Sequence, residues 1–210
     1  MKNPVKNSFA YLSKTLVLFV FSAGMLLLAG CDEDDPKKED TPELITKATL
    51  TFTPTGGGAA VVVSATDPDG EGVQDIRVDG AINLAANRAY TLSITLINGL
   101  ADPSEEEYNI TKEVEEEGDE HMFFFGWSNG VFTNPTGNGN IDARADAVNY
   151  LDEDEGGLPI GLSTSWTTGA SVSNAKFRVI LKHQPDQKTA TSGSQVGESD
   201  LDIEFTLNVQ

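Results

Sequence analysis

Leu201-Asp202-Ile203-Glu204-Phe205-Thr206-Leu207-Asn208-Val209 alternates without a break, apolar against polar. Successive strand side chains point to opposite faces, so this period of two is the pattern of a strand with one buried face. The same reading extends backwards along the chain. Phe177, Val179 and Leu181 form a second stripe, and Leu162, Thr164 and Trp166 a weaker one. Leu92, Ile94 and Leu96 alternate with Thr91, Ser93 and Thr95, as Leu50 and Phe52 do with Thr49, Thr51 and Thr53. Val61 and Val63 follow a Gly56-Gly57-Gly58 turn. Strands of this length separated by Gly, Asn and Asp turns predict an all-β fold, an antiparallel β-sandwich. One segment argues for helix: Asn109 to Glu120 is charged, Ile110 and Val114 are four apart, and Gly118 supplies a stop.

The first 30 residues read as a lipoprotein signal peptide. Lys2, Lys6 and Lys14 surround the start, an apolar stretch runs from Leu16 to Leu28, and Ala29-Gly30 precedes Cys31. The stretch is too short and wrongly flanked for a stable membrane span. Cys31 is therefore the expected lipidation site, with acyl chains anchoring the protein in the membrane at about 0.8 kcal/mol per buried methylene. Residues 31–45 form an acidic tether, since Asp32 to Pro42 has no apolar face to offset the entropy of ordering. Residues 46–210 make one domain of ordinary size. Cys31 is the only cysteine, so no disulfide can staple the mature fold and packing must hold it.

The formal charge is −19, and because the signal peptide carries three lysines and no acids, the mature chain stands near −22. Such an excess of carboxylates repels phosphate backbones and draws cations, which excludes nucleic acid as a partner. The chain contains no G-x-S-x-G elbow, no phosphate-binding glycine loop and no H-E-x-x-H. An enzyme is unsupported, and a hydrolase is the most distant reading.

The densest constellation is Glu113-Val114-Glu115-Glu116-Glu117-Gly118-Asp119-Glu120-His121, followed by Met122 and three phenylalanines. In a helix Glu113, Glu116, Glu117 and Glu120 would share one face, where like charges repel by a few tenths of a kcal/mol per pair. A cation would relieve this, and so would solvent at an exposed face. His183 continues the inward stripe of Phe177, Val179 and Leu181 to the strand's end before Pro185. Two imidazoles with carboxylates suit Zn²⁺ or another divalent cation, making His121, His183, Glu117 and Glu120 the candidate metal ligands. Asp67, Asp69 and Glu71 form a candidate calcium-type loop, although Val78 stands where an EF-hand needs its bidentate acid; a hairpin connection is the alternative. Asp152, Asp154 and Glu155 form a weaker version.

The order of pieces resembles a family of small Bacteroidota outer-membrane lipoproteins. The pieces are the signal, T-L-T-F-T-P, D-P-D-G-E-G, N-R-A-Y-T-L-S-I-T-L-I-N, the acidic run into His121, G-L-P-I-G-L-S-T-S-W-T-T-G, and L-K-H-Q-P ending beyond His183. The acidic residues behind Cys31 likewise resemble the surface-export signal of lipoproteins in that phylum. Members are often labelled with the type 1 periplasmic-binding fold, but 180 residues of period-two pattern cannot build two α/β lobes. The resemblance carries no established activity. It implies association with TonB-dependent outer-membrane receptors, hence an accessory role in uptake, a lipid-anchored location at the outer membrane or cell surface, and metal as the cargo the residues suit. The alternative is a metal-free interaction or glycan-binding module using exposed aromatics such as Trp127 and Trp166.

Lipidation predicts that the protein partitions with membranes and that Cys31→Ser releases it to the soluble fraction. Mass spectrometry of the wild type should show the added lipid; unchanged partition of the variant would contradict the assignment.

Overall fold

The computed structural model describes residues 43–70 and 76–210, which leaves the signal peptide, Cys31, most of the tether and Glu71 outside the described residues. The elements run β1 (Lys47–Pro54), β2 (Val61–Thr66), β3 (Arg77–Val78), β4 (Ile82–Leu84), β5 (Ala89–Ile97), α1 (Ile110–Glu116), β6 (His121–Trp127), β7 (Phe132–Asn134), β8 (Ser163–Thr168), β9 (Val172–His183) and β10 (Glu198–Val209). They form an all-β sandwich of a six-stranded sheet, β3-β2-β1-β5-β8-β7, and a four-stranded sheet, β4-β10-β9-β6. The apolar stripes of both sheets face the space between them. Phe52, Ile94, Phe177, Val179, Ile203 and Phe205 are all buried there, as the alternation predicts.

Pairing is antiparallel except between β4 and β10, which run parallel. Residues 79–81 carry the chain from β3 in one sheet to β4 in the other. The fold also begins earlier than composition suggests. Ile45, the last residue of the expected tether, is buried in the core, and the amide of Thr46, the first residue of the expected domain, donates to the Ile97 carbonyl at 3.0 Å.

The helix is shorter than the charged segment around it. Asn109 caps it, its side chain accepting from the Lys112 amide, and Ile110 and Val114 are its buried residues. It stops at Glu116 with Glu117 as the C-cap, so Glu117 and Glu120 do not share a continuous helical face with Glu113 and Glu116. Gly118 lies in the turn that follows, and a Cβ there would meet Ile160 Cδ1 at 2.7 Å. A larger residue there would have to push the Ile160 side chain aside.

An aromatic cluster ties the two layers together. Phe177 of β9 meets Phe52 of β1 at 5.9 Å and Trp166 of β8 at 5.3 Å between ring centroids, both edge-on. Trp127 and Trp166 stand perpendicular at 5.0 Å. Such contacts add about 0.5–1.5 kcal/mol each beyond area burial. Truncating Phe177 to alanine should therefore cost about 3–5 kcal/mol, read as a lowered urea midpoint, because the void abuts rings of both sheets.

Candidate metal centre

His121 begins β6 and His183 ends β9, and the antiparallel register sets them directly opposite one another. Both side chains lie in phase with the inward stripes, so both enter the space between the sheets at one end. Their rings stack with centroids 4.6 Å apart and planes within 5° of parallel. The two histidines therefore meet. His121 is fully buried and His183 nearly so.

The turn after α1 brings the carboxylates. Its backbone folds back, the Glu120 and His121 amides both donating to the Glu117 carbonyl. That same carbonyl lies 3.1 Å from His121 Nδ1. A carbonyl can only accept, so Nδ1 donates to it and Nε2 is the nitrogen turned toward the carboxylates. Facing Nε2 are Asp200 Oδ2 at 3.6 Å and Glu43 Oε1 at 4.0 Å. One donor atom each from Glu43, Glu117 and His121 lie within 4.8 Å of one another. His183 is occupied differently: its Nε2 stands 3.2 Å from Glu120 Oε2, at the rim of the cluster.

Two of these donors escape a sequence reading. Glu43 lies in the stretch composition assigns to the tether. Asp200 has the phase of Asp202 and Glu204 and should face solvent, but the β9–β10 register slips between Ser199 and Leu201. Asp200 is the extra residue of a β-bulge, which re-aims its side chain inward. Its carboxylate is wholly buried, and neither oxygen has a hydrogen bond of good geometry among the described residues.

Burial is costly for these charges. It pushes the Asp200 carboxyl up to about 7 against the opposing attractions of His183, the Glu43 amide and Lys182. Burial, then Glu113, Asp200 and Glu117, push Glu43 up to about 8. A cation would favour the charged forms of both.

The other candidates have structural work. Asp67 is buried and its Oδ1 accepts from the Asp69 and Gly70 amides at 3.2 and 3.1 Å, closing an Asx turn. Among the described residues no third carboxylate or histidine converges on it. Asp152 accepts from the Gly161 and Ser163 amides, and Asp154 holds buried Lys188 at 2.7 Å. Glu116 pairs with Lys112 on the exposed side of α1, away from the histidines. Trp127 and Trp166 are both buried in the core, so neither offers the flat exposed platform a saccharide ring needs. Comparison of the chain with protein-family models, curated proteins and solved structures finds no match.

Both raised carboxyls bind protons more tightly in the folded than in the unfolded state between about pH 4 and pH 8, so stability of the cation-free protein should fall as pH rises through that window. Asp200→Asn should remove part of this loss, on the order of 3 kcal/mol at pH 8. Urea unfolding of both proteins in chelator at pH 5 and pH 8 checks it; parallel profiles would count against the buried-carboxylate account.

Proposed function

We propose that the protein is a lipid-anchored outer-membrane or surface protein whose sandwich binds a divalent cation at the end where β6, β9 and β10 meet. In this reading it works without catalysis, as an accessory to TonB-dependent uptake. The observation that carries the cation is the convergence of one donor atom each from His121, Glu43 and Glu117, backed by buried Asp200 beside His121 Nε2. The uptake role and the address rest on the Cys31 box and on the family resemblance.

The donor set selects among metals. Calcium and magnesium take all-oxygen shells, whereas an imidazole among carboxylates suits a borderline ion such as Zn²⁺. Binding would draw the donors to about 2.0–2.2 Å from the ion, and the Glu117 carbonyl already holds the His121 ring in the ligating tautomer. The ligands come from two strands, a turn and the segment before β1, so a rigid frame carries most of the shell.

Calorimetric titration of the chelator-treated protein with Zn²⁺, Cu²⁺ and Ca²⁺ tests the proposal. Zn²⁺ should bind more tightly than Ca²⁺, weaken below about pH 6 as imidazole protonates, and lose roughly 100-fold or more in affinity in His121→Ala. Identical weak isotherms for both proteins would reduce the site to a solvated acidic cluster.

A further inference from the structure

The backbone holds the groups of the candidate centre unequally. His121 is fixed by the register of β6 against β9, Asp200 belongs to β10, and both side chains are wholly buried. Glu117 is fixed by its own turn: its amide donates to the Glu113 carbonyl at 2.8 Å, its carbonyl accepts from the Glu120 and His121 amides, and the neighbouring Gly118 carbonyl accepts from buried Lys188. The backbone around Glu43 has no such support.

Firm anchoring of the chain starts three residues later. The Thr46 amide donates to the Ile97 carbonyl at 3.0 Å, its carbonyl accepts from the Asp67 amide at 2.8 Å, and its hydroxyl accepts from the Gly99 amide at 2.7 Å. Among the described residues, no backbone–backbone hydrogen bond involves residues 43–45. Side chains hold them instead. Ile45 is buried in the core, and Leu44, 40% exposed, closes with Leu100 over Gly70, where a Cβ would meet Leu44 Cδ1 at 3.3 Å and Leu100 Cδ1 at 2.9 Å. Glu43 Oε1 reaches to 4.0 Å from His121 Nε2, and its side chain is the more exposed of that pair. A segment with few buried contacts and no backbone ladder opens at the low end of local unfolding energies.

Resting on the single-cation reading above, we propose that Glu43–Ile45 is a strap whose docking the bound cation controls. With the ion in place Glu43 is a ligand, and the ion ties the strap to His121 and Glu117 on the rigid frame. Without it the Glu43 carboxyl stands beside the Glu117 and Asp200 carboxyls with no cation to join them, and the strap swings away from Thr46 outward. The ion enters and leaves through that opening, because Glu43 is the one donor whose backbone the fold leaves unpinned. Opening also adds residues 43–45 to the stretch between Cys31 and the sandwich, about 10 Å of reach when extended. Cation occupancy thereby sets how far the domain stands from its anchor.

A nitroxide placed on Leu44→Cys in the full mature protein in detergent reads the strap directly, with the wild type, whose single cysteine is Cys31, as background. The label should be immobilised in saturating Zn²⁺ and mobile in chelator, and in the Glu43→Gln background it should stay mobile in both. Transfer of Zn²⁺ to a chromophoric chelator should be roughly ten-fold faster in Ile45→Ala, which removes no ligand but loosens the strap. Leu44→Ala, at an exposed position, should also speed transfer and keeps the test open if Ile45→Ala does not fold. A label equally immobile with and without bound Zn²⁺ would overturn the strap and leave the single-cation reading intact. Immobilisation by Zn²⁺ that persists in Glu43→Gln would overturn it as well, since the effect would not pass through that ligand, and so would unchanged transfer rates in the folded variants. No bound Zn²⁺ at all would overturn both.

Discussion

A strand that slips by one residue turns every side chain to its opposite face, so the register of β9 between β6 and β10 governs everything at the candidate centre. Packing enforces that register. Phe177 of β9 contacts Phe52 and Trp166 in the opposite sheet, while Phe125 of β6 packs on both Phe177 and Trp166. With these rings locked in the core, His121 and His183 at the strand ends have no freedom to separate. The stacked pair follows from hydrophobic packing further along the same strands.

Charge is organised around this frame rather than providing it. Lys176 and Arg178 of β9 pair with Glu204 and Asp202 of β10 on the outer face. These pairs are substantially exposed and contribute little to stability. Lys188 is different. Its side chain is buried, meets Asp154 at 2.7 Å and donates to the Gly118 carbonyl, which ties the β9–β10 connection to the turn that carries Glu117 and Glu120. A buried pair of this kind gives weak net stability but fixes geometry. Here it holds the carboxylate-bearing turn against the end of the sandwich.

The centre illustrates how a fold can concentrate groups that repel. Burying Asp200 and Glu43 beside other carboxylates opposes folding unless protons or cations compensate. The cost is met by a core with buried aromatics from both layers, without any disulfide. Buried Asp200 sits on a bulge in a strand otherwise anchored by Leu201, Ile203, Phe205 and Leu207.

The sequence by itself determined the class of fold, because period-two alternation depends only on which residues avoid water. It also determined the short helix at Ile110 and Val114 and the inward phase of His183, and it singled out His121, His183, Glu117 and Glu120 as candidates without showing that they meet. Only the tertiary structure decided where those four stand. Helix termination at Glu116 separated Glu120 from Glu117, and the register, a long-range property, placed the imidazoles face to face. It also decided on Glu43 and Asp200. Composition assigns Glu43 to the tether because local charge cannot reveal that Ile45 is buried beside it. Alternation sends Asp200 outward because a bulge is set by pairing with a partner strand, and no pattern within β10 records it.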